Sequence, residues 1–563
     1  MSVPNGPLRR SRRAVGDALR RLGLRHDPAS EVPRVAGPLE GVDAPLAEGW
    51  FVNPIAEGAD PHVVRDGDRY LWCQTVGDAG VAVWHSDRPT SLGHRHVVWT
   101  APPSGPWSQQ VWAPELHRLD GRWHIYVAAS DGRNETHLTY VLVADGDDPL
   151  GSYSLHGPLN TGDGEGGTED NVWAIDMTVL EHDGTRYALW SGWPERGTQL
   201  QQLYVTVMDS PTSLRRGRVQ ITSPFDHAWE RVREGSEEAI NEAPQVIVRD
   251  GRTFVVFSCG SALLPSYKLG LLELVGADPL DPAAWRKHPE PLFASTEATF
   301  GVGHSSLVPS PDGSEWWHVY HTKISRERNF KRVMHVQPMG WSADGAPDLG
   351  QPVAAGAPVR EPTGTPHHPR SDGAAWAFGT DSDGLGDFDY YGHQQYVALE
   401  PDGLHLGRVP TPPVNAFRSG EKAVLRDGDY TDVRARARFR ILSGDRAVGV
   451  LVRVTAPAVG FEAQRGYFAG WVPGNRRLVL RRTDGRTSTD LGSRVLPHPP
   501  GDEGTLVVEA VGTMLRVHLE SAPDFPVEVE DHHYPRGSVG LRTVGAHVAF
   551  TSLRLDRLHR GTG

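Results

Sequence analysis

Five ionisable residues stand at one recurring place in this 563-residue chain, each a few positions ahead of an Asp-Gly pair: Asp60, Glu115, Asp176, Glu242 and His304. Their distances to that pair are six, five, seven, eight and eight residues. Four carboxyl groups and an imidazole gathered in one place would push one another's pKa values apart, because burial and nearby like charge both disfavour ionisation. Paired acid–base chemistry needs such an asymmetry: one carboxylate kept ionised to activate water, another kept protonated to deliver a proton. Trp112 and Trp173, close to the second and third of these residues, offer flat faces of the kind that pack on the apolar side of a sugar ring.

The element that must position them is a hairpin. Asp-Gly between apolar strands favours a tight turn whose central residues need φ > 0. The pattern runs through "EGADPHVVRDGDRYLW", "APELHRLDGRWHIYVAAS", "DMTVLEHDGTRYALWSG", "APQVIVRDGRTFVVFSCG" and "SSLVPSPDGSEWWHVYHTK". Its Asp-Gly pairs stand at 66–67, 120–121, 183–184, 250–251 and 312–313, at intervals of 54, 63, 67 and 62 residues. Each interval has room for four short strands. A lone four-stranded sheet leaves both faces uncovered, and radial stacking covers them. The chain is therefore expected to be all-β, with a five-bladed β-propeller over residues 46–360. The first strand of each blade lines the axis, so the five residues should meet there as a ring.

Composition fits this class, with 63 Gly, 45 Pro and 17 Trp. A net charge of −13 disfavours nucleic acid or an anionic membrane as partner. Two cysteines, Cys73 and Cys259, cannot build a disulfide framework and read as buried thiols. No run of 18 apolar residues occurs, so no membrane insertion is expected. The first 25 residues carry seven arginines without an apolar stretch after them, while Val15, Ala18, Leu19 and Leu22 share one helical face. Residues 1–45 are thus expected to be a basic leader, helical or disordered. That leader favours the cytoplasm, or secretion if the true start lies elsewhere.

Hydrolysis of a glycosidic bond with inversion uses one ionised and one protonated carboxyl, roughly 6.5–9.5 Å apart so that water fits between. Opposite sides of a propeller channel can provide that gap. The motifs resemble those of the inverting glycoside hydrolases of family 43. "GADP" is similar to that family's base motif, which implies Asp60 as general base. "WAIDM" resembles the second-carboxylate motif and implies Asp176 as the group that orients the acid and raises its pKa. "INEAP" resembles the "NEGP" acid motif and implies Glu242 as general acid, in preference to the nearby run "EGSEE" at 234–238. "GVGHSS" resembles the segment whose histidine, here His304, lies on the axis beside a metal ion in many members. A calcium ion there would need waters to complete an oxygen shell, and no other cofactor is implied. "VWAPEL" and "RVMHVQPMGWSADGAPDLG" match further landmarks. The resemblance implies sugar contacts for Arg332, while Trp112 and Trp173, by their faces, and Glu115, by its place in the ring, are read as substrate-binding or supporting residues. Met177 and Ala243 depart from the family's usual proline and glycine at their positions.

After the linker expected at 361–375, period-two alternation in "TDVRARARFRIL", "AVGVLVRV" and "TLVVEAVGTMLRVHLE" predicts half-buried antiparallel strands. Residues 376–563 resemble the concanavalin-like, laminin-G-like β-sandwiches that accompany glycosidases, either as a sugar binder or as a wing shaping the funnel rim. The activity implied is an inverting exo-glycosidase releasing terminal α-L-arabinofuranosyl units, with a carbohydrate as partner. β-Xylosidase, β-galactofuranosidase and endo-arabinanase are the alternatives inside the family. A glycan-binding propeller without turnover is the alternative outside it, and the three intact carboxyl groups argue against it.

Overall fold

The computed structural model describes residues 46–558 except 78, 164–166, 233–238, 380–385, 394–395, 408–419, 461 and 499. The basic leader and the "EGSEE" run lie outside the described residues.

Five antiparallel sheets form the propeller. The first blade is His62–Asp66, Arg69–Val76, Gly80–Ser86 and His94–Thr100. The second is Gln109–Leu119, Arg122–Ser130, Leu138–Ala144 and Tyr153–Pro158. The third is Ala174–His182, Thr185–Gly192 and Gln202–Ser210, with short outer strands at Ser213–Leu214 and Val219–Gln220. The fourth is Asn241–Arg249, Arg252–Cys259, Lys268–Leu274 and Trp285–Lys287. The fifth is Gly303–Pro309, Trp316–Lys323 and Arg332–Trp341, completed by Ala56–Glu57 from ahead of the first blade. The ring is thus closed by the segment that leads directly into Asp60.

One apolar cluster fills each gap between adjacent blades. Leu71, Val81 and Val83 meet Val111, Ile125 and Leu142 between the first and second. Trp72 and Trp84 meet Trp317, Val319 and Val336 between the first and fifth. The remaining three gaps are filled in the same way. Strands buried on both faces explain why the blades read as near-continuous apolar runs rather than strict alternation. Cys73 and Cys259 are buried free thiols within these layers.

The Asp-Gly turns are of three kinds. At Asp120–Gly121, Asp183–Gly184 and Asp250–Gly251 both residues have positive φ, in two-residue loops closed by Leu119↔Arg122, His182↔Thr185 and Arg249↔Arg252. In the first blade Asp66 itself pairs with Arg69, so the turn shifts to Gly67–Asp68 and only Gly67 is left-handed. In the fifth blade Pro309 pairs with Trp316 around a longer loop, where the Asp312 carboxylate accepts from Ser310 and Ser314.

The C-terminal strands, from Ala374–Ala377 to Ser538–Arg557, belong to one 13-stranded sheet, consistent with the expected β-sandwich. Val433–Thr455 and Ser538–Arg557 pair antiparallel along their length with several register shifts, which bend a sheet. Its main core encloses Phe388, Phe439, Tyr467, Trp471, Leu515 and Phe550, and a smaller cluster gathers Val424, Leu451 and Phe468. This part docks on the first and fifth blades: Arg426, held by Asp389 of its own sheet, reaches Asp87, and Glu57 donates its N–H to Gly392 O at 3.3 Å. No helix among the described residues is long and apolar enough to cross a membrane.

Candidate active site

Every blade carries a left-handed residue near the axial end of its inner strand: Asp60, Ala113, Asp176, Ala243 and His304, with φ between 42° and 54°. In blades two to five the ladder shifts register across this residue, between Trp112 and Glu115, Ile175 and Thr178, Glu242 and Gln245, and Gly303 and Ser306. A bulge detaches one N–H from its own ladder and re-aims the side chain. Neighbouring blades supply partners for the amides of three of these left-handed residues. Asp60 N–H lies 3.3 Å from His321 Nδ1, Ala243 N–H donates to Asp176 Oδ2 at 3.1 Å, and His304 N–H donates to Ser258 Oγ at 2.9 Å. The site is therefore stitched across blade boundaries by the defects that present it.

These equivalences correct the expected ring. Ala113 and Ala243, not Glu115 and Glu242, stand in register with Asp60, Asp176 and His304. The left-handed residue precedes its Asp-Gly by seven positions in the three blades with identical turns, by six where the turn has slipped, and by eight where the loop is longer. Glu242 lies one residue before the bulge and Glu115 two after it. A period-two strand sends Glu242 to the cavity mouth and takes Glu115 deeper along the axis.

The mouth is a cavity of about 840 Å³ lined by Asp60, Asp176, Glu242, His304, Arg332 and Trp112 among others, a size that suits a small sugar ligand. Around Asp60, Arg332 Nη1 donates to Oδ1 at 2.8 Å, while His304 Nδ1 and His321 Nδ1 each lie 3.3 Å from the same oxygen. Burial alone would raise the pKa of Asp60, but the Arg332 guanidinium and His304 overcome it and hold the carboxyl well below the usual range. Its side chain keeps 24% exposure toward the cavity. Across the mouth, Tyr267 O–H donates to Glu242 Oε1 at 2.8 Å. Burial, and then the Asp176 carboxyl, push the Glu242 pKa up, so that it holds a proton near neutrality. Burial also raises Asp176, opposed by the cationic His304. Asp176 and Glu242 interact closely and titrate as a pair.

A buried, stacked pair of rings backs the two sides. His321, against Asp60, and Tyr267, bonded to Glu242, lie with centroids 5.5 Å apart and planes within 4°. Gly303 is required there, since a Cβ at that position would fall inside the Tyr267 ring. The Asn241 side chain before the acid is structural: its Nδ2 donates to Glu230 Oε2 at 2.8 Å, its Oδ1 accepts from Thr222, and Lys287 neutralises Glu230.

The other residues expected from sequence are placed as follows. Trp112 is partly exposed in the lining and stacks on His137 at 3.8 Å. Trp173 is only 3% exposed, is stacked on Trp193, and donates its Nε1–H to Asn134 O, so it backs the wall more than it presents a face. Arg332 is committed to Asp60 rather than held free for sugar. Glu115, expected to contact substrate, is 1% exposed and does not line the cavity; His62, His117 and Gln245 surround its carboxylate. Its depth follows from its place after the bulge. Sequence reasoning missed His321, Tyr267 and Gly303. His321 was within reach, because it pairs directly with Gly303 in the fifth blade. Tyr267 arrives from the loop after Cys259, and no periodicity in the chain marks it.

The expected calcium position fits these residues poorly. His304 turns Nδ1 to Asp60, whose carboxylate raises its pKa to about 9 against the effect of burial, and an imidazole is a nitrogen donor where calcium takes oxygens. A deeper group, His62, Glu115 and His117, gathers three potential ligand atoms within 4.8 Å of one another. There the Leu116 N–H donates to His62 Nδ1 at 3.1 Å, which leaves the neutral ring's proton on Nε2, facing Glu115. Two imidazoles and one carboxylate are not the oxygen-rich set that calcium prefers.

A family model described as Glycosyl hydrolases family 43 matches residues 51–347. The chain is 34% identical over 327 residues to "Alpha-L-arabinofuranosidase 43" of Humicola insolens. It is 32% identical over 334 residues to "Extracellular exo-alpha-(1->5)-L-arabinofuranosidase" of Streptomyces avermitilis. Each alignment covers 55% of this chain, which thus spans about 65% of the length of these curated relatives. A solved α-L-arabinofuranosidase from Lactobacillus brevis superposes with a TM-score of 0.49 at 29% identity, over 54% of this chain and 98% of that one.

Proposed function

The chain belongs to family 43 of the glycosyl hydrolases, and from that premise we propose that it is an inverting, exo-acting α-L-arabinofuranosidase that removes terminal α-L-arabinofuranosyl units from arabinose-containing oligo- and polysaccharides. The observation that carries the chemistry is the opposite tuning of two carboxyls on one cavity. Asp60 is kept ionised by Arg332 and His304, while Glu242 is kept protonated by burial and Asp176. His321 beside Asp60 and Tyr267 on Glu242 stack with centroids 5.5 Å apart, and a single displacement needs the two carboxyls far enough apart to admit a water between them.

In the proposed reaction a water held by Asp60 attacks the anomeric carbon and gives its proton to that carboxylate. The bond from the anomeric carbon to the glycosidic oxygen breaks as Glu242 protonates that oxygen. The released sugar has the opposite anomeric configuration, and proton exchange with solvent restores Asp60 and Glu242. Asp176 keeps the Glu242 proton in place until the leaving oxygen takes it. The sugar itself is supported by the relatives named arabinofuranosidases. Two sites of action stand as proposals, the cytoplasm and the extracellular space, and assay of culture supernatant against lysate separates them.

The test is a panel of aryl glycosides: α-L-arabinofuranoside, β-D-xylopyranoside, β-D-galactofuranoside and α-L-arabinopyranoside. Proton NMR follows the anomer released first. Release confined to the arabinofuranoside, with β-arabinofuranose first, is the expected outcome. Cleavage of another sugar alone overturns the assigned specificity, and an α product overturns inversion.

The pair also predicts a pH response. An ionised Asp176 disfavours ionisation of Glu242, so Asp176→Asn should lower the acid's pKa. The alkaline limb of kcat/KM should then move down by about one unit or more, while the acid limb, set by Asp60, remains. An unmoved alkaline limb would remove Asp176 from this role.

A further inference from the structure

Phe330 is 65% exposed and lines the active-site cavity. A lone exposed aromatic is ordinary, but its surroundings make this one a built surface. It precedes Arg332, whose guanidinium lies 5.6 Å from its ring and is fixed by Asp60. Its loop is clasped to the fourth blade by Asn329 N–H donating to Leu263 O at 3.3 Å, and Gly301 N–H donates to Pro265 O at 3.0 Å beside it. Ala262 and Leu263, from that fourth-blade loop, line the cavity with Phe330. The same loop ends at Tyr267, which holds the acid Glu242.

The direction of the chemistry gives this surface a ligand. Glu242 protonates the glycosidic oxygen, so the sugar that departs lies beside Glu242, and the fourth-blade loop from Leu263 to Tyr267 runs from that carboxyl to the Phe330 loop. Resting on the hydrolase reading above, we propose that Phe330, flanked by Leu263, is the platform for the leaving-group sugar, the first unit beyond the scissile bond. One apolar sugar face lies on the ring, as aromatic side chains receive such faces. Asp60, Asp176 and Trp112, which line the same cavity, are left for the unit being cleaved. A platform on this side makes the enzyme select for a sugar, rather than any alcohol, as leaving group.

The test compares wild type, Phe330→Ala and Phe330→Tyr in the full chain. It measures kcat/KM on α-1,5-linked arabinotriose and the inhibition constant of an arabinofuranose-like iminosugar that fills only the place of the cleaved unit. Phe330→Ala should lower kcat/KM about tenfold, the effect of losing one aromatic contact of about 1.4 kcal/mol. The iminosugar constant and the thermal midpoint should be unchanged, and Phe330→Tyr should restore turnover to within about twofold. Unchanged arabinotriose turnover in Phe330→Ala, or an equal loss in iminosugar binding, overturns the platform. Wild-type silence on arabinotriose overturns instead the functional reading on which it rests.

Discussion

Asp60→Asn lowers kcat/KM by about 10³-fold or more on every glycoside the wild type cleaves, whatever its leaving group, since a positioned base contributes roughly 10²–10⁴-fold. An amide cannot accept the proton of the attacking water, and in a single displacement that transfer belongs to the same transition state as bond breaking, so a better leaving group does not replace it. The fold should survive, because Asn keeps the size of the side chain and Asp60 N–H still faces His321. Added azide needs no deprotonation to attack, so it should restore part of the activity and form a glycosyl azide of inverted configuration. The acid limb of wild-type kcat/KM carries the same signature. Asp60 is ionised down to its depressed pKa, so activity should fall only below the ordinary carboxylate range. An acid limb near pH 5, or wild-type-like turnover in Asp60→Asn, would sink the assignment.

Glu242→Gln separates substrates by their need for a proton. On an arabino-oligosaccharide the expected loss is about 10³-fold, because the departing sugar alkoxide is too basic to leave unprotonated. On a dinitrophenyl arabinofuranoside, whose leaving group is stable as an anion, the loss should be roughly tenfold or less. The alkaline limb should vanish with the titrating group, since Glu242 is protonated near neutrality and loses its proton only as pH rises through its elevated pKa. Steady-state kinetics on the two substrates between pH 5 and 10 checks both. Equal losses on both would mean that Glu242 positions substrate rather than delivering a proton.

These tests concern residues that sequence motifs had already marked, and the repeat had shown why they should meet. Five apolar hairpins at near-even spacing are a local property, carried by turn chemistry and by strands that must be buried on both faces. What spacing alone blurred was depth along the axis. A hairpin that slips by one residue, as at Gly67–Asp68, or lengthens, as at 310–315, changes the count from turn to bulge without moving the bulge in space. That is why Glu115 looked equivalent to Asp60 and is instead buried beneath the cavity among His62, His117 and Gln245.

The departure at Ala243 has a physical reading as well. Its φ of 50° suits glycine, so alanine there accepts backbone strain of about 1 kcal/mol while presenting its N–H to Asp176. The second domain shows the same division. Alternating strands declared a half-buried sheet, whereas its docking through Gly392 beside Glu57, next to the cavity, depends on two segments more than 300 residues apart in the chain.

The sequence by itself determined the all-β class and the number of blades, because each is written in a local pattern of a few residues, and its motifs singled out Asp60, Asp176, Glu242 and His304, which line one cavity. Tertiary structure alone decided which carboxyl is ionised and which is protonated. That depends on Arg332, His321 and Tyr267, which come from other strands and loops, and on burial that exists only once the five blades have closed around the axis.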